Sequence, residues 1–220
     1  MRIQILTTPN SETLPFSHQQ KLVGTIHKWL GHNEIHDKIS LYSFSWLHGA
    51  RKDGNGLWLP NGGRMFISFY ENKYVMQLIE TIRQDPYMFC GISVTDIIIE
   101  NDPDLTERNR FNFGSPIFIK RKLDNGGEKH FTFNDKEANL LMEETLRSKM
   151  RQAGLPDDES LKIEFDLSYA EKNTKLVKYH NIGNVANECP VIINGKPETK
   201  LFAWNVGIGN CTGIGFGAIY

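Results

Sequence analysis

The chain has 220 residues, with 25 Lys and Arg against 26 Asp and Glu, a formal net charge of −1. That length suits one large or two small domains and a core that needs no disulfide or metal staple. The near balance excludes a uniformly basic nucleic-acid binder and an acidic solvating tail.

Residues Arg2 to Thr7 put Ile3 and Ile5 on one face, the pattern of a half-buried strand. Pro9 and Asn10 end it. Ser17, with Gln20 three residues on, has the spacing of a capping box. The helix it predicts carries Leu22, Val23, Ile26, Trp29 and Leu30 as an apolar stripe and stops at Gly31. Ile39 to Leu47 reads as aromatic and extended, and Lys52 to Gly63 as a Gly- and Asn-rich loop. A strand over Met65 to Phe69, a helix over Asn72 to Gln84 and a β-rich stretch over Gly91 to Glu100 complete the order β-α-β-β-α-β, that of the ferredoxin-like split unit. Asn101 to Arg110 is the expected linker.

The second half repeats the order. Pro116 to Lys122 and Lys129 to Phe133 pair across Gly126-Gly127, and Asn134 is expected to cap a helix running to about Gln152. Leu161 to Leu167, Leu176 to His180 and Val191 to Ile193 read as strands, Pro197 to Trp204 as a short helix and Thr212 to Tyr220 as a final strand. The fold class is therefore α+β, two tandem ferredoxin-like domains over residues 1–104 and 111–220.

Cys90, Cys189 and Cys211 form no C-x-x-C pair. That argues against a disulfide framework or zinc knuckle and fits a reducing, cytoplasmic setting. No apolar run reaches about 18 residues, so no membrane-spanning helix is expected. The pair His32 and His36 sits at helical i, i+4 spacing, but Asn33 stands where a zincin pattern needs Glu. No metal or cofactor is expected.

The most specific segment runs from Gly207 to Gly217. Its glycines, Gly207, Gly209, Gly213, Gly215 and Gly217, can serve tight packing or a backbone cradle for phosphate. A dinucleotide fingerprint is not expected, because such a run must open a helix inside a βαβ unit and only three residues follow Gly217.

The ending G-I-G-(x)3-G-I-G-F-G resembles the signature of the CRISPR-associated repeat-processing endoribonucleases, the Cas-six family of RAMP proteins. Ser17-His18-Gln19-Gln20 is similar to that family's first helix. Ile35-His36-Asp37 followed by Leu41-Tyr42-Ser43-Phe44-Ser45 resembles its histidine segment and aromatic strand, and Gly114-Ser115-Pro116-Ile117 the start of its second domain. The resemblance implies two ferredoxin-like domains and metal-independent cleavage of CRISPR repeat RNA in precursor transcripts, giving 2',3'-cyclic phosphate and 5'-hydroxyl ends. It implies repeat RNA as partner, is compatible with effector-complex subunits and with a homodimer, and needs no membrane.

Such a reaction needs a general base for the 2'-hydroxyl, an acid for the leaving 5'-oxygen and a cation for the phosphorane. By the resemblance, His36 falls at the base position. His27, on the flank of the first helix's stripe, falls where relatives carry a tyrosine, and Lys38 is the nearest match to a lysine. A non-cleaving RAMP subunit that only holds repeat RNA is the alternative.

The charge is segregated. Asp85 to Glu107 contains six carboxylates and no Lys or Arg, so the remainder of the chain carries +5. Lys120, Arg121 and Lys122 form the densest basic run, with Arg51, Lys52 and Arg64 as further candidates for RNA phosphates and Lys172, Lys175 and Lys178 as a weaker cluster. Phe111, Phe113, Trp46 and Trp58 suit base stacking or, better, core packing.

Overall fold

The computed structural model describes residues 1–31, 40–180 and 182–220. In the first half, strand β1 (Arg2–Thr7) leads to helix α1 (Gln19–Leu30), β2 (Tyr42–Phe44), a small hairpin of β3 (Arg51–Asp53) and β4 (Gly56–Trp58), then β5 (Arg64–Phe69), α2 (Asn72–Gln84) and β6 (Val94–Glu100). The four principal strands form one antiparallel sheet in the order β2-β5-β1-β6. Counted within the unit this is 2-3-1-4, the strand order of a ferredoxin-like fold. The predicted stripe of α1 is fully buried and meets Ile3, Ile5, Ile67, Val75 and Leu78 in one core.

Helix α1 starts one residue later than the capping-box reading required. His18 occupies its N-cap position without a side-chain cap, and the His18 ring instead bonds the Pro15 carbonyl at 3.0 Å. Gln19 and Gln20 are diverted to long-range partners, the Ile214 carbonyl and the His180 ring. The Lys52 to Gly63 loop holds β3 and β4 because Leu14 pairs with Leu57 in both directions, and Asn10 bonds both the Leu57 carbonyl and the Leu59 N–H. Chain far away in sequence supplies the order that local composition lacks.

The second half begins earlier than expected. Strand β7 (Arg110–Phe111) is followed by a hairpin of β8 (Lys120–Lys122) and β9 (Glu128–His130), helix α3 (Ala138–Gln152), β10 (Lys162–Phe165), a second hairpin of β11 (Asn173–Tyr179) and β12 (Ile182–Glu188), then β13 (Val191–Asn194) and α4 (Pro197–Val206). The sheet is β10-β13-β7, and an Ile219–Phe113 bridge extends it beyond β7. That again gives the order 2-3-1-4, with the two hairpins as insertions. Arg110 therefore belongs to a strand rather than to the linker, and Pro116 to Ile119 does not extend β8.

Asn134 does not cap α3. The carboxylate of Asp135 takes the Thr132 N–H and hydroxyl, which makes a turn of these residues, and the helix begins only at Ala138. The final strand predicted over Thr212 to Tyr220 is a short 3-10 turn, Thr212–Ile214, followed by Gly215 and Gly217 at φ +86° and +66°. A ladder cannot run through such backbone, so of the predicted strand only residues 218–220 pair, antiparallel with residues 112–114.

Arg2 ties the halves together. Its buried guanidinium donates to Ser68 Oγ at 2.6 Å and to the carbonyls of Trp204 and Ile219 at 2.8 and 2.7 Å, and lies against the Trp204 and Phe66 rings. Among the described residues no helix is long and apolar enough to cross a membrane.

Candidate nucleic-acid interface

The Gly-rich segment leaves α4 at Gly207 and threads between the two halves. Its outer contacts come from the first half: the Tyr42 hydroxyl donates to the Gly213 carbonyl (3.1 Å), Trp46 Nε1 to Gly215 (2.8 Å) and Gln19 Nε2 to Ile214 (2.7 Å). Inside the segment, the Ile208 N–H donates to the Gly217 carbonyl, and the Gly217 N–H to Pro116. Asn210 joins the loop to β8 and to the segment before it, its Oδ1 accepting the Lys120 N–H at 2.9 Å and its N–H reaching the Phe118 carbonyl. Phe118, Phe216, Val177 and Ala186 form a small core beneath. Many backbone donors of the segment are thus used within the protein, so packing accounts for much of its glycine content.

One cleft of about 600 Å³ opens beside this segment, lined by Gly209, Asn210 and Thr212 together with Arg121, Lys149 and Ser40. The structure here unites elements that are distant in sequence: Arg121 from β8, Lys149 from α3 and the glycine loop. Arg121 is held by the Leu141 carbonyl, Thr145 Oγ1 and Glu144 on α3. Lys120 pairs with Glu128 at 3.1 Å, and Lys122 is exposed.

The other sequence candidates are dispersed. His27 lies in the last turn of α1, half-buried beside the stripe. His36 and Lys38, with His32, lie outside the described residues. Arg51 and Lys52 are exposed on the β3–β4 hairpin. Arg64 lines a different cleft with His48, Phe66 and Tyr220, which shares no residue with the first. Burial and the Arg64 charge hold the His48 imidazole below its ordinary value. Phe111 is core, as its stronger reading held.

Two residues gain weight only in three dimensions. Lys175 on β11 stacks over Trp46, itself bonded to the glycine segment, so one member of the weaker basic cluster sits next to the loop. Lys149 is buried, and its Nζ donates to the carbonyls of Val206 (2.9 Å) and Gly207 (3.3 Å) and to Thr212 Oγ1 (3.1 Å). It satisfies the open end of α4 and clasps the loop. A lysine at a position continuing the Ala138, Met142, Leu146 face was a visible sign in the sequence. Burial pulls its pKa down to about 7.

Between about pH 7 and the ordinary lysine value the unfolded chain binds the proton that the folded chain has lost, so stability rises with pH across that window and the contribution is smallest below it. The urea midpoint of the wild type is expected to rise from pH 7.5 to 9 relative to Lys149→Met. Parallel profiles would contradict this.

Residues 100–220 match the family model for the C-terminal part of CRISPR associated protein Cas6. No curated protein matches the sequence. Among solved structures, one described as CRISPR associated protein Cas6 aligns over 100% of this chain and 98% of its own, with a TM-score of 0.83 at 17% identity. A Cas6-related protein from Pyrococcus furiosus aligns over 100% and 97%, also at 0.83, with 19% identity. A RAMP protein described as binding different RNA substrates aligns over 100% and 98% at 0.83, with 20% identity. At such identities the structural likeness speaks for the fold, two tandem ferredoxin-like units in one arrangement. The family match spans more than half of the sequence and contains the whole glycine segment with its β8 and α3 supports, and on that ground the chain belongs to the Cas6 family of CRISPR-associated proteins.

Proposed function

We propose that this protein is an endoribonuclease that cuts CRISPR repeat RNA within precursor transcripts by a metal-independent transesterification. The observation that carries the reading is the convergence of the glycine segment, Arg121 and Lys149 on a cleft whose wall includes Ser40, two residues after Lys38 in the sequence of a Cas6-family chain. Residues 1–104 would supply the acid–base groups, and residues 111–220 the phosphate-binding strand and loop.

His36 takes the proton of the RNA 2'-hydroxyl. The 2'-oxygen forms a bond to the adjacent phosphorus, the bond from phosphorus to the 5'-oxygen breaks, and His27 delivers a proton to that oxygen. Histidine suits both roles because its ordinary pKa lies near neutrality. Lys38 offsets charge on the phosphorane. Lys120, Arg121 and Lys122, with Gly209 and its neighbours, hold flanking phosphates. Arg51, Lys52 and Arg64 are assigned to more distant stretches of the RNA, since they occupy other surfaces.

The experiment is incubation of the full chain with a repeat RNA in excess EDTA. Cleavage is expected to persist, to yield a 2',3'-cyclic phosphate and to stop when the nucleotide 5' of the scissile bond lacks its 2'-hydroxyl. Loss of activity on chelation would overturn the mechanism. Tight binding of repeat RNA with no product would favour a subunit that holds repeats without cutting them.

A further inference from the structure

Strand β6 forms one rim of the first sheet. It pairs with β1, and among the described residues no strand pairs with its other side. An open rim turns alternate N–H and C=O groups to solvent, and folds commonly blunt such rims with Lys, Pro or a covering element. Strand β6, Val-Thr-Asp-Ile-Ile-Ile-Glu, has neither residue, and Ile98 and Ile99 are 49% and 52% exposed. The Ile97 N–H is taken by the adjacent Asp96 carboxylate at 2.8 Å, a local acceptor standing in for the carbonyl of a neighbouring strand.

A groove of about 400 Å³ runs along this rim between β6 and α2. Its walls include Ile79 and Ile82 from the helix and Val94 and Ile97 from the strand, with Pro86 closing one end. Arg83, Thr95 and Asp96 complete the wall, so the groove is part apolar and part polar, and an open strand edge beside such a helix-walled groove is the arrangement by which an added strand gains affinity from main-chain bonds and specificity from every second side chain. The charge along the strand side of it is negative. Asp85 to Glu107 holds six carboxylates and no cation; Lys28 neutralises Asp85, and the N-terminal amine neutralises Asp102. Asp96 and Glu100 remain on the strand itself, and Arg83 is the one cation on the groove wall.

We propose that β6 is a docking edge for an extended, basic segment of a partner protein, which adds as a fifth strand. Its alternate apolar side chains enter the α2–β6 groove, and its lysines or arginines meet Asp96 and Glu100. The acidic rim repels RNA phosphates, and antiparallel pairing of two copies of β6 would crowd four carboxylates onto one seam, so charge selects a basic protein strand. This inference is independent of the cleavage mechanism.

The test uses the full chain and a fluorescent, acetylated and amidated peptide of alternating lysine and valine, about nine residues long to span the strand. Saturable binding is expected by anisotropy, with slowed hydrogen exchange of amides in 94–100. Ile99→Pro, which removes an outward donor, and the double variant Asp96→Lys, Glu100→Lys are each expected to weaken binding by about tenfold or more. The charge variant leaves the backbone intact, so it decides the matter if the proline variant fails to fold. A peptide of alternating glutamate and valine is expected not to bind. Absence of saturation up to about 1 mM, or equal affinity in the charge variant, would overturn the proposal. A dimer in sedimentation that Ile99→Pro abolishes would assign the edge to a second copy instead.

Discussion

Replacing His27 and His36 together with alanine is expected to lower the rate of repeat-RNA cleavage by about 10⁴-fold while affinity for the uncut RNA stays within about threefold. The contrast follows from the division of labour. Imidazoles matter when protons move to and from the 2'- and 5'-oxygens, and general acid–base groups contribute about 10² to 10⁴ each. Ground-state affinity comes instead from charges on phosphates, which the double variant leaves in place. The measurement is single-turnover cleavage beside equilibrium binding to a 2'-deoxy repeat RNA. His36→Ala alone is expected to account for most of the loss. Undiminished cleavage by the double variant would remove both residues from the chemistry, and an equal fall in affinity would make them binding residues.

Substituting Gly217 with alanine is expected to cost about 3 kcal/mol or more of stability, with RNA binding lost in parallel. Two costs add there. Gly217 sits at φ +66°, which an L side chain rarely adopts, and a Cβ built on it would overlap the Ile208 carbonyl oxygen. That carbonyl cannot yield cheaply, because the Ile208 N–H is bonded back to the Gly217 carbonyl at 2.8 Å and the Gly217 N–H to Pro116 at 2.9 Å. Gly24 is the control. It lies mid-helix in α1, and nothing stands within 4 Å of its added Cβ. Gly24→Ala is expected to stabilise the protein by about 0.5 to 1 kcal/mol. Thermal unfolding of the pair gives both signs in one experiment. A tolerated Gly217→Ala would show that the loop can rearrange.

Period and punctuation carried much of the fold. The stripe of α1, the bounds of α2 and the alternation of β1 rest on local spacing, and each stands in the structure as read. Strand β12 and the β3–β4 hairpin were illegible, because their order comes from pairing with β11 and with residues 10–14, not from their own composition. The last segment looked extended throughout from its apolar residues, but glycines at positive φ confine the pairing to its last three residues.

The candidate site divides the same way. The identity of the glycine segment, the histidine-rich stretch and the basic run at Lys120 to Lys122 were determined by the sequence alone, since motif and residue type are local properties. Which of them share a cleft was decided by the tertiary structure. Asn210 bonds the loop to β8, and α3 brings Lys149 beneath it and fastens Arg121, so these residues converge while Arg64 belongs to another surface. The net charge of −1 follows the same rule. Sequence counts it and shows its blocks, but the folding of β6 to a sheet rim is what gathers carboxylates at one edge, far in the chain from the cations that line the loop cleft. Charge is additive along a chain, whereas a field depends on where the fold carries each group.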